Sequence, residues 1–185
     1  MVGVDFFTVE VMSFTGLITY YVLFFIHLES RRVSLAGMTP HPDQEWMEQQ
    51  ARNVTMEEWG FLRNCQHLLH DRDTKFCASF RELIESGRVK TIRLPARSPN
   101  LNSHAERWVR SVKEECLSKL ILFGESSLRR ALQQYVVHYH EGRNHQGKEN
   151  RILFPSQTEA RRKEGAVRCR ERLGGLLKYY EREAA

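Results

Sequence analysis

The fold is decided by the stretch PARSPNLNSHAERWVRSVKEEC at residues 95–116, read with HDRDTKF at 70–76 and VGVDFFTVEV at 2–11. Each stretch carries a carboxylate in a different setting. Asp5 lies inside an apolar, β-branched run, Asp71 directly follows an apolar pair, and Glu106 lies in the first turns of a long amphipathic helix. Thirty-four residues separate the last two acids. Acids from a strand, a strand end and a helix predict a two-metal phosphoryl-transfer site.

The hydrophobic pattern around these stretches predicts strands first and then strands that alternate with helices. We expect strands over 2–11, 17–27, 32–36, 67–70 and 89–94. We expect helices from an Asp43 cap to 54, from an Asp73 cap to a Gly87 stop, over 103–122 and over 126–140. This order implies an α/β fold with a mixed five-stranded sheet flanked by helices, which is the order of the ribonuclease H-like fold. Residues 1–155 would form this domain, followed by a basic, partly helical C-terminal tail over 156–185.

The charge of the chain is unevenly distributed. The net charge is +5, but residues 1–60 carry three Lys or Arg against eight Asp or Glu, whereas residues 61–185 carry 25 against 15. A basic C-terminal two-thirds suits a polyanionic partner, of which nucleic acid is the commonest. A soluble basic surface without a ligand explains the same composition, and the counts do not choose between the two.

Cysteine spacing and hydropathy indicate a cytoplasmic protein. None of the four cysteines forms a CxxC pair, which argues against a zinc ribbon and favours reduced thiols. The apolar segment GLITYYVLFFI at 16–26 is too short to span a bilayer and lacks the basic leader of a signal peptide, so we expect a buried strand.

Each acid has a plain structural explanation beside the catalytic one. Asp5 would be costly inside an apolar strand unless it is solvated, paired or metal-bound, and a solvated strand end is the less favoured explanation. Asp71 follows the strand directly and is the expected ligand, whereas Asp73 fits a helix cap or a supporting role. Glu106 shares a helix face with Arg110 and Lys113, which would be a solvated face or a DNA-facing one.

With these residues placed, the chain resembles the DDE-type integrase catalytic core of bacterial insertion-sequence transposases, which is similar to the retroviral integrase core. The resemblance covers residues 2–155. Asp5 matches the acid of the first strand, Asp71 of HDRD the acid after the fourth strand, and Glu106 of LNSHAER the acid of the later helix. The stretch HYHEGRNHQG at 138–147 resembles the closing motif of that family.

The resemblance implies a magnesium-dependent DNA integration or transposition enzyme. The three acids would bind two Mg²⁺ or Mn²⁺ ions, and water and then a DNA 3′-hydroxyl would attack phosphodiesters. The DNA-positioning residues would be Arg97, Arg107, Arg110 and Lys113. Family members work as multimers, so self-association is expected. The three histidines of the 138–147 motif would serve packing or DNA contact rather than zinc.

The chain also departs from that family. Such transposases usually carry an N-terminal helix-turn-helix region, and here Asp5 lies four residues from Met1, which suggests N-terminal truncation. A decayed copy, a mis-assigned start or a separate end-recognition polypeptide would explain the same observation. Two other functions therefore stay open: an inactive DNA-binding remnant, and a ribonuclease H-like nuclease without strand transfer.

Overall fold

The computed structural model describes residues 1–95, 102–155 and 166–182. The chain divides into two compact units, Met1–Arg110 and Ser111–Ala185, and the boundary falls within one helix. Arg97 and most of the predicted PARSPN loop lie outside the described residues. No helix within the described ranges is long and apolar enough to cross a membrane.

A mixed five-stranded sheet organises the first unit. Its strands are β1 (Val2–Ser13), β2 (Gly16–His27), β3 (Val33–Thr39), β4 (His67–His70) and β5 (Lys90–Arg93). They lie in the spatial order β3-β2-β1-β4-β5. Antiparallel pairing joins the first three strands, whereas β4 pairs parallel with both β1 and β5. All five predicted strands are present, with β4 at its predicted bounds.

Four α-helices among the described residues complete the α/β fold and confirm the ribonuclease H-like prediction. They are α1 (Gln44–Thr55), α2 (Ala78–Ser86), α3 (Ser103–Glu115) and α4 (Gly124–Glu141). Asp43 caps α1 as predicted, because its side chain accepts a 2.8 Å hydrogen bond from the Trp46 N–H. Gly87 ends α2, and Gly142 ends α4.

The two faces of the sheet carry different helices because side chains alternate along a strand. Val2 and Val4 of β1 join an apolar core with α1 and α2. Phe7, on the opposite face, lies edge-on to Trp108 of α3, with 5.6 Å between ring centroids. Trp108 also lies 4.4 Å from Phe24, and its side chain is 1% exposed. These ring contacts hold the first turns of α3 against one face of β1. Asp5 lies on the same face as Phe7, because both residues are odd-numbered.

The second unit has its own buried centre along α4. The buried residues of that helix are Leu128, Ala131, Leu132, Tyr135, His138 and Tyr139. The Arg143 guanidinium binds the Glu115 carboxylate through both Nε and Nη2, at 2.6–3.1 Å, and the Tyr135 hydroxyl donates to the same carboxylate at 3.1 Å. The last turn of α3 is therefore tied to the end of α4.

Three predicted features differ from the structure. The helix predicted over 103–122 ends at Glu115 and continues as a short 3-10 turn over Leu117–Lys119. Asp73 does not cap α2, because a turn intervenes and α2 begins at Ala78. The tail contains no helix among its described residues: β6 (Val167–Arg172) and β7 (Leu177–Arg182) pair as an antiparallel hairpin.

Candidate active site

Asp5 and Asp71 approach each other because β1 and β4 run parallel. Val2 pairs with Leu68 and Gly3 with Leu69, and continuing that register by two residues brings Asp5 level with Asp71. Asp71 is the first residue after β4, where the backbone leaves the sheet. An acid within a central strand is thus placed beside an acid at the end of its neighbour, as the sequence pattern predicts.

The Asp5 carboxylate is half-buried and accepts two hydrogen bonds. Its Oδ1 accepts the N–H of Phe6 at 2.7 Å, and its Oδ2 accepts the side-chain amide of Asn102 at 2.9 Å. Asn102 directly precedes α3, so this bond links the carboxylate to the start of the helix that carries Glu106. Gly3 permits the approach, because a Cβ at that position would lie 3.3 Å from Asn102 Oδ1.

The environment of Asp5 disfavours its negative charge. Burial raises its pKa most, and the neighbouring carboxylates of Asp71, Glu106 and Asp73 raise it further. The hydrogen bond from Phe6 opposes these effects, and the resulting pKa is about 6 rather than 3.8. Asp5 therefore lies within electrostatic reach of both other proposed acids.

Asp71 and Asp73 differ in their partners. Asp73 accepts hydrogen bonds from both the backbone N–H and the ammonium of Lys75, the latter at 2.9 Å. Asp71 Oδ1 accepts only the N–H of Asp73, at 2.9 Å, among the contacts of the described residues. The charge of Asp73 is therefore neutralised within the chain, whereas that of Asp71 remains available to a cation.

Glu106 lies in the first turn of α3 and is exposed. Its neighbours Ala105 and Trp108 are buried, which fixes the side of the helix on which Glu106 projects. Arg107, Arg110 and Lys113 are exposed as well, as expected for residues that would meet a polyanion. Arg97 belongs to the stretch 96–101, outside the described residues.

The donor set suits a divalent cation in its chemistry. Carboxylate oxygens are the ligands that Mg²⁺ and Mn²⁺ prefer, and mutually repelling carboxylates are relieved by a cation. In the described part of the chain, no Lys or Arg forms an ion pair with Asp5, Asp71 or Glu106. Among the same residues, no three His, Cys, Asp or Glu side chains stand close enough together to enclose an ion. The three acids are thus near enough for their charges to affect Asp5, but their side chains do not converge on a single ion position.

Two residues near the acids are not singled out by the sequence pattern. The Asn102 side chain donates a hydrogen bond to Asp5. In the sequence, the one local indication of this role is the position of Asn102 immediately before the helix that carries Glu106. Lys75 binds Asp73, and its ammonium also lies 5.1 Å from the ring centroid of Tyr21 on β2. That second contact joins residues far apart in sequence, so no local pattern predicts it.

The histidines of the 138–147 motif serve packing in the second unit. His138 is buried, and burial lowers its pKa, which favours the neutral ring. His145 Nε2 lies 2.7 Å from the Tyr139 carbonyl oxygen, to which it can donate, and its ring lies edge-on to that of Tyr139. The His140 ring contacts Phe154. These contacts are packing contacts, which is one of the two roles that the sequence pattern left open.

Part of the chain matches a known protein family. Residues 87–151 match the protein family described as "Integrase core domain", a range that includes Glu106 and the 138–147 motif. Asp5 and Asp71 precede that range. No curated protein matches the chain. Residues 87–151 are therefore similar to an integrase core domain, and the five-stranded sheet has the strand order of the ribonuclease H-like fold.

Proposed function

We propose that the protein cleaves and joins DNA strands by divalent-metal-dependent phosphoryl transfer, as a DDE-type transposase or integrase, with Asp5, Asp71 and Glu106 as the metal ligands. The observation that carries the proposal is the grouping of these three acids. The carboxylates of Asp71 and Glu106 repel the negative charge of Asp5, although the three residues lie on a helix, a strand and a strand end. A partly buried carboxylate such as that of Asp5, with other carboxylates near it, is costly unless a cation binds it.

The carboxylates would hold two Mg²⁺ or Mn²⁺ ions. Such ions would neutralise the charge that develops at the attacked phosphate and would stabilise both the attacking and the leaving oxygen. Asn102 would orient Asp5 through its 2.9 Å hydrogen bond. Lys75 would keep Asp73 out of the ligand set by pairing with it. Water would be the first nucleophile, and the 3′-hydroxyl that it releases would be the second.

Exposed cations on α3 would position the DNA. Arg107, Arg110 and Lys113 follow Glu106 on the same helix, and Arg97 precedes it in the chain. Contacts of this kind go to phosphates, which give affinity and orientation but little sequence information. We infer that these cations hold substrate beside the carboxylates and that recognition of particular DNA ends needs other contacts.

The test is a cleavage and joining assay on labelled DNA bearing candidate element ends, with Mg²⁺ or Mn²⁺ supplied. Glu106→Gln should abolish products while leaving the circular-dichroism spectrum and DNA affinity unchanged, and so should Asp71→Asn. Glu114→Gln is the matched control, because Glu114 is an exposed glutamate of the same helix. Its activity should equal that of the wild type.

The products distinguish the remaining functions. Joined strands together with cuts support strand transfer, whereas cuts without joined strands indicate a nuclease. A folded wild-type protein that binds DNA and yields no products with either metal would refute catalysis and indicate a DNA-binding remnant. Size-exclusion chromatography with light scattering would test the expected self-association.

A further inference from the structure

The hairpin formed by β6 and β7 has two unlike faces. Arg168 pairs with Glu181, Cys169 with Tyr180, and Glu171 with Lys178. Along β7, burial alternates from Leu177 to Arg182, so that odd-numbered residues face inward and even-numbered residues face outward. On β7, one side therefore packs within the second unit, and the other side faces solvent.

The inner face is held to the end of α4 by several contacts. Arg172 reaches Gln134 at 3.4 Å and Glu141 at 3.7 Å. A Cβ added to Gly142 would lie 3.1 Å from Tyr179, so the ring of Tyr179 packs closely over this glycine. Buried Glu181 forms an ion pair with Arg170. Arg172 thus holds the hairpin to α4, whereas Arg170 pairs within the hairpin.

The outer face is exposed throughout. It presents one aromatic ring between two cations at alternate positions of β7, since Lys178, Tyr180 and Arg182 share this face. Tyr180 is 62% exposed, so its ring is open to a partner. Val167, also 62% exposed, lies opposite Arg182 on β6. The one acid of this face is Glu171, which pairs with Lys178 at 3.2 Å.

We propose that the outer face of this hairpin, residues 167–182, is a DNA-binding surface that engages duplex DNA. A two-stranded ribbon fits the major groove, which is about 12 Å wide. Lys178 and Arg182 stand four residues apart on one strand, or roughly 13 Å, and can contact separate phosphates. Tyr180 between them can donate its hydroxyl to a phosphate and pack its ring on a sugar. No residue of the hairpin belongs to the proposed metal site.

The pair of Lys178 and Glu171 does not oppose this role. Both side chains are about half exposed, at 50% and 51%, and an exposed pair of this kind contributes little to stability. A phosphate can therefore replace Glu171 as the partner of Lys178 at small cost. The six outer residues carry two cations and this single, displaceable acid, so the face is complementary in charge to DNA.

The proposal rests on DNA being the substrate of the proposed function, but it is tested by binding rather than by catalysis. Fluorescence anisotropy of the full chain with a labelled 30-base-pair duplex, in EDTA, would give affinities across a salt series. Lys178→Gln should lower affinity about eightfold at 0.1 M salt and reduce the slope of log affinity against log salt by about 0.9, because one phosphate contact is lost. Tyr180→Ala should weaken binding with an unchanged slope. Glu171→Gln should strengthen binding.

Lys119→Gln is the matched control, since Lys119 is an exposed lysine in the same unit outside the hairpin. The inference is overturned if Lys178→Gln and Tyr180→Ala bind like the wild type, or if the control loses as much affinity as Lys178→Gln. Tighter binding to the corresponding single strand would also overturn it. Asp71→Asn should bind normally. A wild-type chain that binds DNA through the hairpin but yields no products with either metal would therefore refute the catalytic proposal alone.

Discussion

Replacing Asp5 by Asn should stabilise the metal-free protein at neutral pH, which is the opposite of the usual effect of altering a buried hydrogen-bonded residue. The folded state binds the Asp5 proton more tightly than the unfolded chain does, because the pKa rises from 3.8 to about 6. Stability from this group is therefore fully present below pH 3.8 and is lost as the pH rises through 6. Asn has the same shape and no charge to bury.

The magnitude follows from the same rise in pKa. A rise of this size corresponds to at most about 3 kcal/mol at pH 7.5, and partial solvent access lowers the expected gain to about 2 kcal/mol. At pH 4.5 most Asp5 side chains in the folded state are protonated, so the gain should fall to about 1 kcal/mol or less. The hydrogen bond to Asn102 survives if the Asn102 amide turns over, which offers its oxygen to the new side chain.

Urea unfolding in EDTA at both pH values measures these differences. Glu82→Gln serves as the control, because Glu82 is exposed on α2 and should change stability by less than about 0.5 kcal/mol. Adding Mg²⁺ at pH 7.5 should raise the midpoint of the wild type and not that of Asp5→Asn. An Asp5→Asn protein that is no more stable than wild type at pH 7.5 would refute the claim that this carboxylate is held at a cost.

Three further outcomes follow from the described contacts. Trp108→Ala should lower the free energy of unfolding by about 3–5 kcal/mol in urea melts, because it empties a fully packed position between two phenylalanine rings. Arg143→Ala should cost about 1–3 kcal/mol by leaving the Glu115 carboxylate half-buried and unpaired, whereas Arg129→Ala, which breaks an exposed pair, should cost under about 1 kcal/mol. Asn102→Ala removes a donor to the first-strand carboxylate, so the acidic limb of a pH–activity profile should move to higher pH, and an unmoved limb would exclude this positioning role.

Local patterns predict the parts of the fold whose cause is local. The strand His67–His70 appears at its predicted bounds because an apolar pair lies between two polar residues, and the α1 start appears where Asp43 provides a side-chain acceptor. The placement of Asp5 beside Asp71 has a different cause, the parallel pairing of β1 with β4. Parallel neighbours with known strand ends leave few alternatives for the acids that follow them.

The features that the sequence does not reveal arise from contacts between distant residues. The helical pattern continues to Leu122, but α3 ends at Glu115, the residue that Arg143 and Tyr135 bind. The strand Val167–Arg172 is mostly charged and shows no alternation of apolar residues, so pairing with β7 defines it. The contact of Asn102 with Asp5 could not be predicted for a similar reason. It needs the space that Gly3 leaves, and Gly3 lies 99 positions earlier in the chain.

The unequal pairing of β1 has a consequence for the order of folding. Its antiparallel register with β2 runs from Val2 to Ser13 across a tight turn, whereas its register with β4 covers two residue pairs that join positions far apart in the chain. Local hairpins close quickly, and distant strands join only after the entropy of a long loop has been overcome. The first three strands can therefore form before Asp71 reaches Asp5. Amide protons of β4 should then exchange with solvent sooner than those of β1 and β2, and the carboxylates would separate each time that strand detaches.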